Sequence, residues 1–222
     1  AEYGLLKPTL YAVQDHPNLS LSLIVSGMHL DEEFGFTADQ VLADGFDIDV
    51  ELEMSPAVDS GYGMASAIGK GVTRISKVFK EMSPDCQVLL GDRIEVLSAA
   101  IAAAYMNIPI AHIHGGDVSG SIDDSTRHAI SKYSHLHFPA TSSSANRLLR
   151  MGEENWRVNV VGTPALDTIL NAHLHARNEL EAMIGVDFDE YVILVIQHSV
   201  SSESDEAEIQ ITETMEAIRS LG

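Results

Sequence analysis

A single cysteine, Cys86, leaves this 222-residue chain without a partner for an internal disulfide, which fits a reducing compartment. Basic residues are scarce. Thirteen Lys and Arg face 33 Asp and Glu, a formal charge of -20, and such a surface repels nucleic acid and anionic membrane. No apolar run approaches the roughly 18 residues of a membrane span. No basic, apolar leader opens the sequence, so no export signal is expected and a cytoplasmic location is. Internal repeats and low-complexity tracts are absent too. An anionic ligand would need local arginines and helix N-termini to reverse the field at its site.

What is present is an apolar content of 45%, enough to bury a core. Strand-like runs at residues 19–25, 47–54, 86–90, 108–113, 135–138 and 158–161 alternate with helical patterns. The clearest helix runs from Gly61 to Met82, where Met64, Ile68, Val72, Ile75, Phe79 and Met82 share one face. Others are expected near residues 94–105, 123–133 and 142–151. Alternating strands and helices predict an α/β fold, a Rossmann-like parallel sheet with helices on both faces. Ligands of such sheets sit beyond the carboxyl ends of the strands.

After Leu170 the pattern changes. The reading is an N-terminal domain over 1–170, a polar connection over 171–190 and the start of a second domain over 191–222. That last part carries a strand at 191–196 and a helix at 204–221.

The polar clusters fall at the predicted strand ends. Gly91-Asp92-Arg93 follows a strand and opens a helix, where Asp92 and Glu95 also read as a capping box. In His112-Ile113-His114-Gly115-Gly116-Asp117, strand alternation puts both histidines on one face, and the glycines permit close backbone approach to a ligand. With Asp92 and Asp117 this is also the donor set of a metal site, as a metallophosphoesterase would use. Asp123-Asp124-Ser125-Thr126-Arg127-His128 opens another helix, with Asp123 and Arg127 at i,i+4. Helix-end stabilisation alone accounts for both acids. Two carboxylates, an Arg and a His together also make an acid–base set, in which burial raises one carboxyl while Arg127 keeps another ionised. His135-Leu136-His137 reads as packed histidines, and Cys86 as a strand residue. Gly162-Thr163-Pro164 starts a helix, and Gln197-His198 ends the first strand of the second domain.

Several of these blocks occur together, in this order, in one family. Ala1-Glu2-Tyr3-Gly4-Leu5-Leu6-Lys7-Pro8, Gly91-Asp92-Arg93, Ile110-Ala111-His112-Ile113-His114-Gly115-Gly116-Asp117, the Ile122-Asp123-Asp124-Ser125-Thr126-Arg127-His128-Ala129-Ile130 run, His135-Leu136-His137-Phe138 and Gln197-His198 resemble the UDP-N-acetylglucosamine 2-epimerases, and the block from Gly91 to Phe138 most resembles their hydrolysing branch. The resemblance implies a GT-B-type arrangement of two Rossmann-like domains, the second incomplete here. It implies a chain truncated at both ends, lacking the strand ending in Gly-Thr-Arg that normally precedes the first helix, and inactive on its own. It also implies the reaction of UDP-N-acetylglucosamine with water to give N-acetylmannosamine and UDP, through a 2-acetamidoglycal. No cofactor and no metal are expected; a homodimer is.

By the same resemblance, Asp92, His114, Asp117 and Asp123 are the catalytic candidates, while Arg93, Asp124, Arg127 and His198 bind substrate. Asp117 stands where the hydrolysing branch often has Glu, His114 where many relatives carry a catalytic Glu, and Ser199 where Pro is usual. Rival readings are another UDP-sugar such as a diacetamido-trideoxyhexose, a non-hydrolysing 2-epimerase, and a non-catalytic nucleotide-sugar-binding fragment.

Overall fold

The computed structural model describes residues 2–54, 60–120, 122–172, 174–188, 192–198 and 206–220. The chain divides into two compact units, Ala1–Leu170 and Asn171–Gly222.

The first unit opens with α1 (Tyr3–Gln14), β1 (Ile24–Ser26), α2 (Ala38–Ala43) and β2 (Val50–Leu52). It continues through α3 (Gly61–Met82), β3 (Gln87–Leu90), α4 (Ile94–Tyr105), β4 (Ile110–Ile113), α5 (Ile122–Tyr133), β5 (Leu136–Phe138) and α6 (Ser142–Arg150), and closes with α7 (Pro164–Asn171) at its boundary. All strand pairings are parallel: β1 with β2, and β3 with β4 with β5. The parallel α/β architecture is the one the alternating pattern predicts.

The long helix α3 occupies the residues its periodicity marks, with Ile75 and Phe79 in the core. Its start is fixed by Ser60, whose Oγ accepts from the Gly63 amide at 3.1 Å. It packs on α4 at Gly71, where a Cβ would press on Ser98. Small residues do the same from the other side, since Ala99, Ala100, Ala102 and Ala103 of α4 are all buried in one cluster with Ile110 and Ile130. That cluster packs β3 and β4 against α4 and α5.

In the first unit three expectations need amendment. The single sheet is two, β1-β2 and β3-β4-β5, with an apolar cavity of about 180 Å³ between the edges of β1 and β3. The consecutive residues Ile24, Val25 and Ser26 and Val88, Leu89 and Leu90 all line it. Neighbours on a strand point to opposite faces, so it is the two edges that look into the gap. Cys86 is exposed and precedes β3 instead of packing within it. The run at 158–161 joins β5 only by a bridge from Val158 to His137 and by amides of Asn159 and Val161 donating to the carbonyls of His137 and Pro139.

In the second unit the described helices are α8 (Arg177–Ile184) and α9 (Ala207–Arg219). The expected strand at 191–196 is not formed among the described residues. Residues 192–198 carry no ladder and are exposed; a strand needs a neighbour to take its backbone hydrogen bonds, and no described residue supplies one. Tyr191, Ser199 and the start of the expected helix at Ser204 lie outside the described residues. No described helix is long and apolar enough to cross a membrane.

Candidate functional site

Three of the eight candidate side chains, Asp92, Asp124 and Arg127, are joined beyond the carboxyl ends of β3 and β4, with Asp117 reached through its carbonyl and Asp123 through its charge. Asp92 sits in the turn after β3. The helix that follows takes Arg93 as its N-cap residue, with no side-chain cap, so the capping box expected of Asp92 and Glu95 does not form. The Asp92 carboxylate instead receives Nη2 of Arg127 from α5. The same guanidinium donates through Nη1 to Asp124 Oδ1 at 3.3 Å and to the Asp117 carbonyl at 3.0 Å. Asp123, one position earlier on α5, adds its negative charge to the field at Asp92.

The two carboxylates on Arg127 are driven in opposite directions. Burial raises the Asp92 pKa above 3.8, against the pull of Arg127 and with the help of Asp123. One guanidinium shared among two carboxylates and a carbonyl does not offset that desolvation. The Asp124 carboxyl is held below its usual range, first by the backbone amides of Ser119 and Gly120. These donate to Oδ1 at 2.6 Å and Oδ2 at 2.9 Å. A split pair is what the sequence suggests, but amides of the preceding loop, more than Arg127, keep Asp124 ionised.

His114 does not continue the strand. It adopts the left-handed backbone, φ 62°, so the alternation that would align it with His112 stops at Ile113. Its Nε2 lies 3.0 Å from Thr163 Oγ1, and burial lowers its pKa against the opposing charge of Asp117. His112 is fully buried, with its ring nitrogens on Ser131 Oγ and the Gly91 carbonyl. The two histidines therefore do not face a common ligand. Among the described residues no three His, Cys, Asp or Glu side chains gather as a metal site.

The glycines beside them serve packing. Gly116, at φ 81°, lies where a Cβ would overlap the Ser144 carbonyl of α6, and its own carbonyl accepts from Arg147. Close approach is real, but what approaches is α6. Asp117 accepts from Ser144 Oγ, which holds the end of the His-Gly-Gly-Asp turn against the same helix.

Two candidates lie elsewhere. Arg93 turns to Glu95 at 3.4 Å, Glu2 at 3.7 Å and Met28 Sδ at 3.2 Å; alone of the eight it lines the cavity between β1 and β3. His198 is exposed in the second unit. Of the packed histidines, His137 is buried with Nε2 3.0 Å from Glu153, while His135 is exposed and its Nδ1 accepts from the Ile110 amide. Sequence reasoning missed Ser131, Ser144 and Ser119. A serine inside a polar helix or loop has no spacing signature, and only the fold shows which carboxylate, ring or amide it meets.

A family model described as UDP-N-acetylglucosamine 2-epimerase matches residues 11–221. The chain is 41% identical over 217 residues to the UDP-N,N'-diacetylbacillosamine 2-epimerase (hydrolyzing) of Legionella pneumophila, covering 98% of this chain and 58% of that protein. It is 34% identical over 204 residues to the UDP-N-acetylglucosamine 2-epimerase of Neisseria meningitidis serogroup B, covering 92% of this chain and 53% of the relative. The crystal structure of UDP-GlcNAc 2-epimerase from Neisseria meningitidis bound to UDP-GlcNAc superposes with a TM-score of 0.67 at 23% identity, over 76% of this chain and 46% of that one. That likeness establishes the fold. The chain spans about half the length of the relatives it matches.

Proposed function

The chain belongs to the UDP-N-acetylglucosamine 2-epimerase family, and on that premise we propose that it supplies the proton-transfer half of a hydrolysing 2-epimerase acting on a UDP-linked 2-acetamido sugar. The observation that carries this reading is the opposed pair on Arg127, with Asp92 raised by burial and Asp124 lowered by amides. Two acids pushed apart beside one another are the usual arrangement for separating a proton carrier from a fixed charge.

In the proposed reaction a carboxylate removes the C2 proton as the C1–O bond breaks, and UDP leaves with that electron pair. The resulting 2-acetamidoglycal then takes the oxygen of water at C1 and a proton at C2 from the opposite face. Asp92 and Asp123 carry protons, with His114 and Asp117 as the second acid–base pair. Arg127 and Asp124 orient Asp92. Arg93 and His198 belong to substrate binding, His198 toward the UDP. No step calls for a redox cofactor or a metal.

Two sugars fit this chemistry, since it uses only the C2 acetamido group and the anomeric UDP. UDP-N-acetylglucosamine would give N-acetylmannosamine. The diacetamido sugar is favoured by the 41% identity to the Legionella enzyme. Turnover requires the further length that the relatives carry, so the 222 residues alone are inactive or nearly so; the intact enzyme is a cytoplasmic homodimer in this reading.

A coupled UDP-release assay on the intact polypeptide, with each sugar and NMR of the product, tests the proposal. Free UDP with a free 2-epimerised sugar is expected. Product still joined to UDP would make it a non-hydrolysing epimerase, and no turnover of either sugar would remove the reading. Brisk turnover by the 222 residues alone would overturn the requirement for further length.

A further inference from the structure

His112 lies outside the acid–base set yet touches both pieces of backbone that carry the Asp92–Arg127 pair. Its Nε2 is 2.8 Å from the carbonyl of Gly91, the residue before Asp92. Its Nδ1 is 3.1 Å from Ser131 Oγ, which lies one helical turn after Arg127 and 3.0 Å from the Arg127 carbonyl. A carbonyl can only accept, so the ring proton sits on Nε2, and the unprotonated Nδ1 shares the single Ser131 hydroxyl proton with the Arg127 carbonyl in a three-centre bond. The strand end passes directly over this junction, since a Cβ on Gly115 would lie 3.0 Å from both His112 Nδ1 and Ser131 Oγ.

We propose that His112 is a positioning residue, bridging the Gly91 carbonyl and Ser131 so that the turn bearing Asp92 is held in register with the helix bearing Arg127. It touches neither substrate nor reacting atoms. The alternative, an imidazolium donating from both nitrogens, is opposed by burial, which pushes the His112 pKa down to about 4, with His137, Arg127 and His114 acting in the same direction. One neutral tautomer therefore persists through the neutral range. The role bears on catalysis only through the proposed reaction, but the bridge can be read without any turnover.

The test is NMR of the 222-residue chain and three variants. The imidazole of His112 should show a protonated Nε2 and an unprotonated Nδ1, unchanged from pH 8 to pH 6. Ser131→Ala should move the Nδ1 resonance downfield and leave Nε2 bonded. His112→Gln keeps an N–H near the Nε2 position and should preserve the Gly91 carbonyl shift. His112→Leu removes it, and should move that carbonyl upfield while speeding hydrogen exchange at the Arg127 guanidinium about tenfold, the effect of one lost buried hydrogen bond. Should His112→Leu fail to fold, the glutamine and alanine variants still decide. The proposal is overturned by a proton on Nδ1, by titration at the ordinary histidine midpoint, or by His112→Gln and Ser131→Ala leaving both nitrogens' and Gly91's signals where no bridge would put them.

Discussion

Arg127 donates from the second turn of α5 to the carboxylate of Asp92, thirty-five positions earlier in the turn after β3. Both side chains are mostly buried, 12% and 19% exposed. Removing one partner of such a pair leaves the other desolvated without compensation. For Asp92 the sign is clear. Burial already raises its pKa and Arg127 opposes that rise, so Arg127→Met should raise it further. Carboxyl carbon NMR across an acid titration checks this; an Asp92 midpoint that falls or stays fixed in the variant would show that the pairing has no electrostatic weight.

Acid should weaken the first unit as pH falls below the ordinary histidine midpoint. His112 has a folded pKa near 4 against an ordinary 6.5. A base whose folded pKa is lowered takes up its proton more readily when unfolded. Its contribution is therefore present above pH 6.5 and is lost as pH falls toward 4. Urea midpoints measured at steps over that range should decline, and the decline should be smaller in His112→Gln. Equal slopes in the two proteins would assign the effect to other groups.

Asp124 acts in the same direction at lower pH. Its folded pKa is depressed, so its share of stability is present above the usual value of 3.8 and lost as pH falls through the folded value. Asp124→Asn should remove that component, because the amide no longer changes charge. The check is a shallower pH dependence below pH 3.8 in thermal melts of the variant than in the unaltered chain, and an equal slope would show that Asp124 contributes nothing.

Gly116→Ala should destabilise the first unit by about 2–4 kcal/mol, combining left-handed backbone strain with overpacking. The residue has φ 81° and faces the Ser144 carbonyl. Gly152→Ala, with a similar positive φ of 92° but open space around it, separates the two causes by showing the strain alone. Equal losses in denaturant unfolding would mean that contact with α6 contributes nothing.

Much of this arrangement is legible in the residues. The 3.6-residue period of α3 marks the helix that forms, and the polar blocks at 91–93 and 114–117 fall at strand ends because apolar runs stop there. What period and polarity do not carry is the direction of a side chain once the strand has ended. His114 leaves its expected face because one residue adopts a left-handed backbone, and Arg93 turns toward Glu2 and Glu95 instead of joining Asp92. The run at 192–196 reads as a buried strand from composition, but its hydrogen bonds depend on neighbours that no local pattern specifies.

In the proposed reaction Asp92 and Asp123 move a carbon-bound hydrogen. The most direct measurement is turnover of the intact enzyme in heavy water, with NMR of the released sugar. Deuterium should appear at C2 of every product molecule, and Asp92→Asn or Asp123→Asn should lower both turnover and label incorporation about a hundredfold or more, the scale of a lost general acid or base. A released sugar with its original C2 hydrogen, or full activity in both variants, would rule out the proposed reaction.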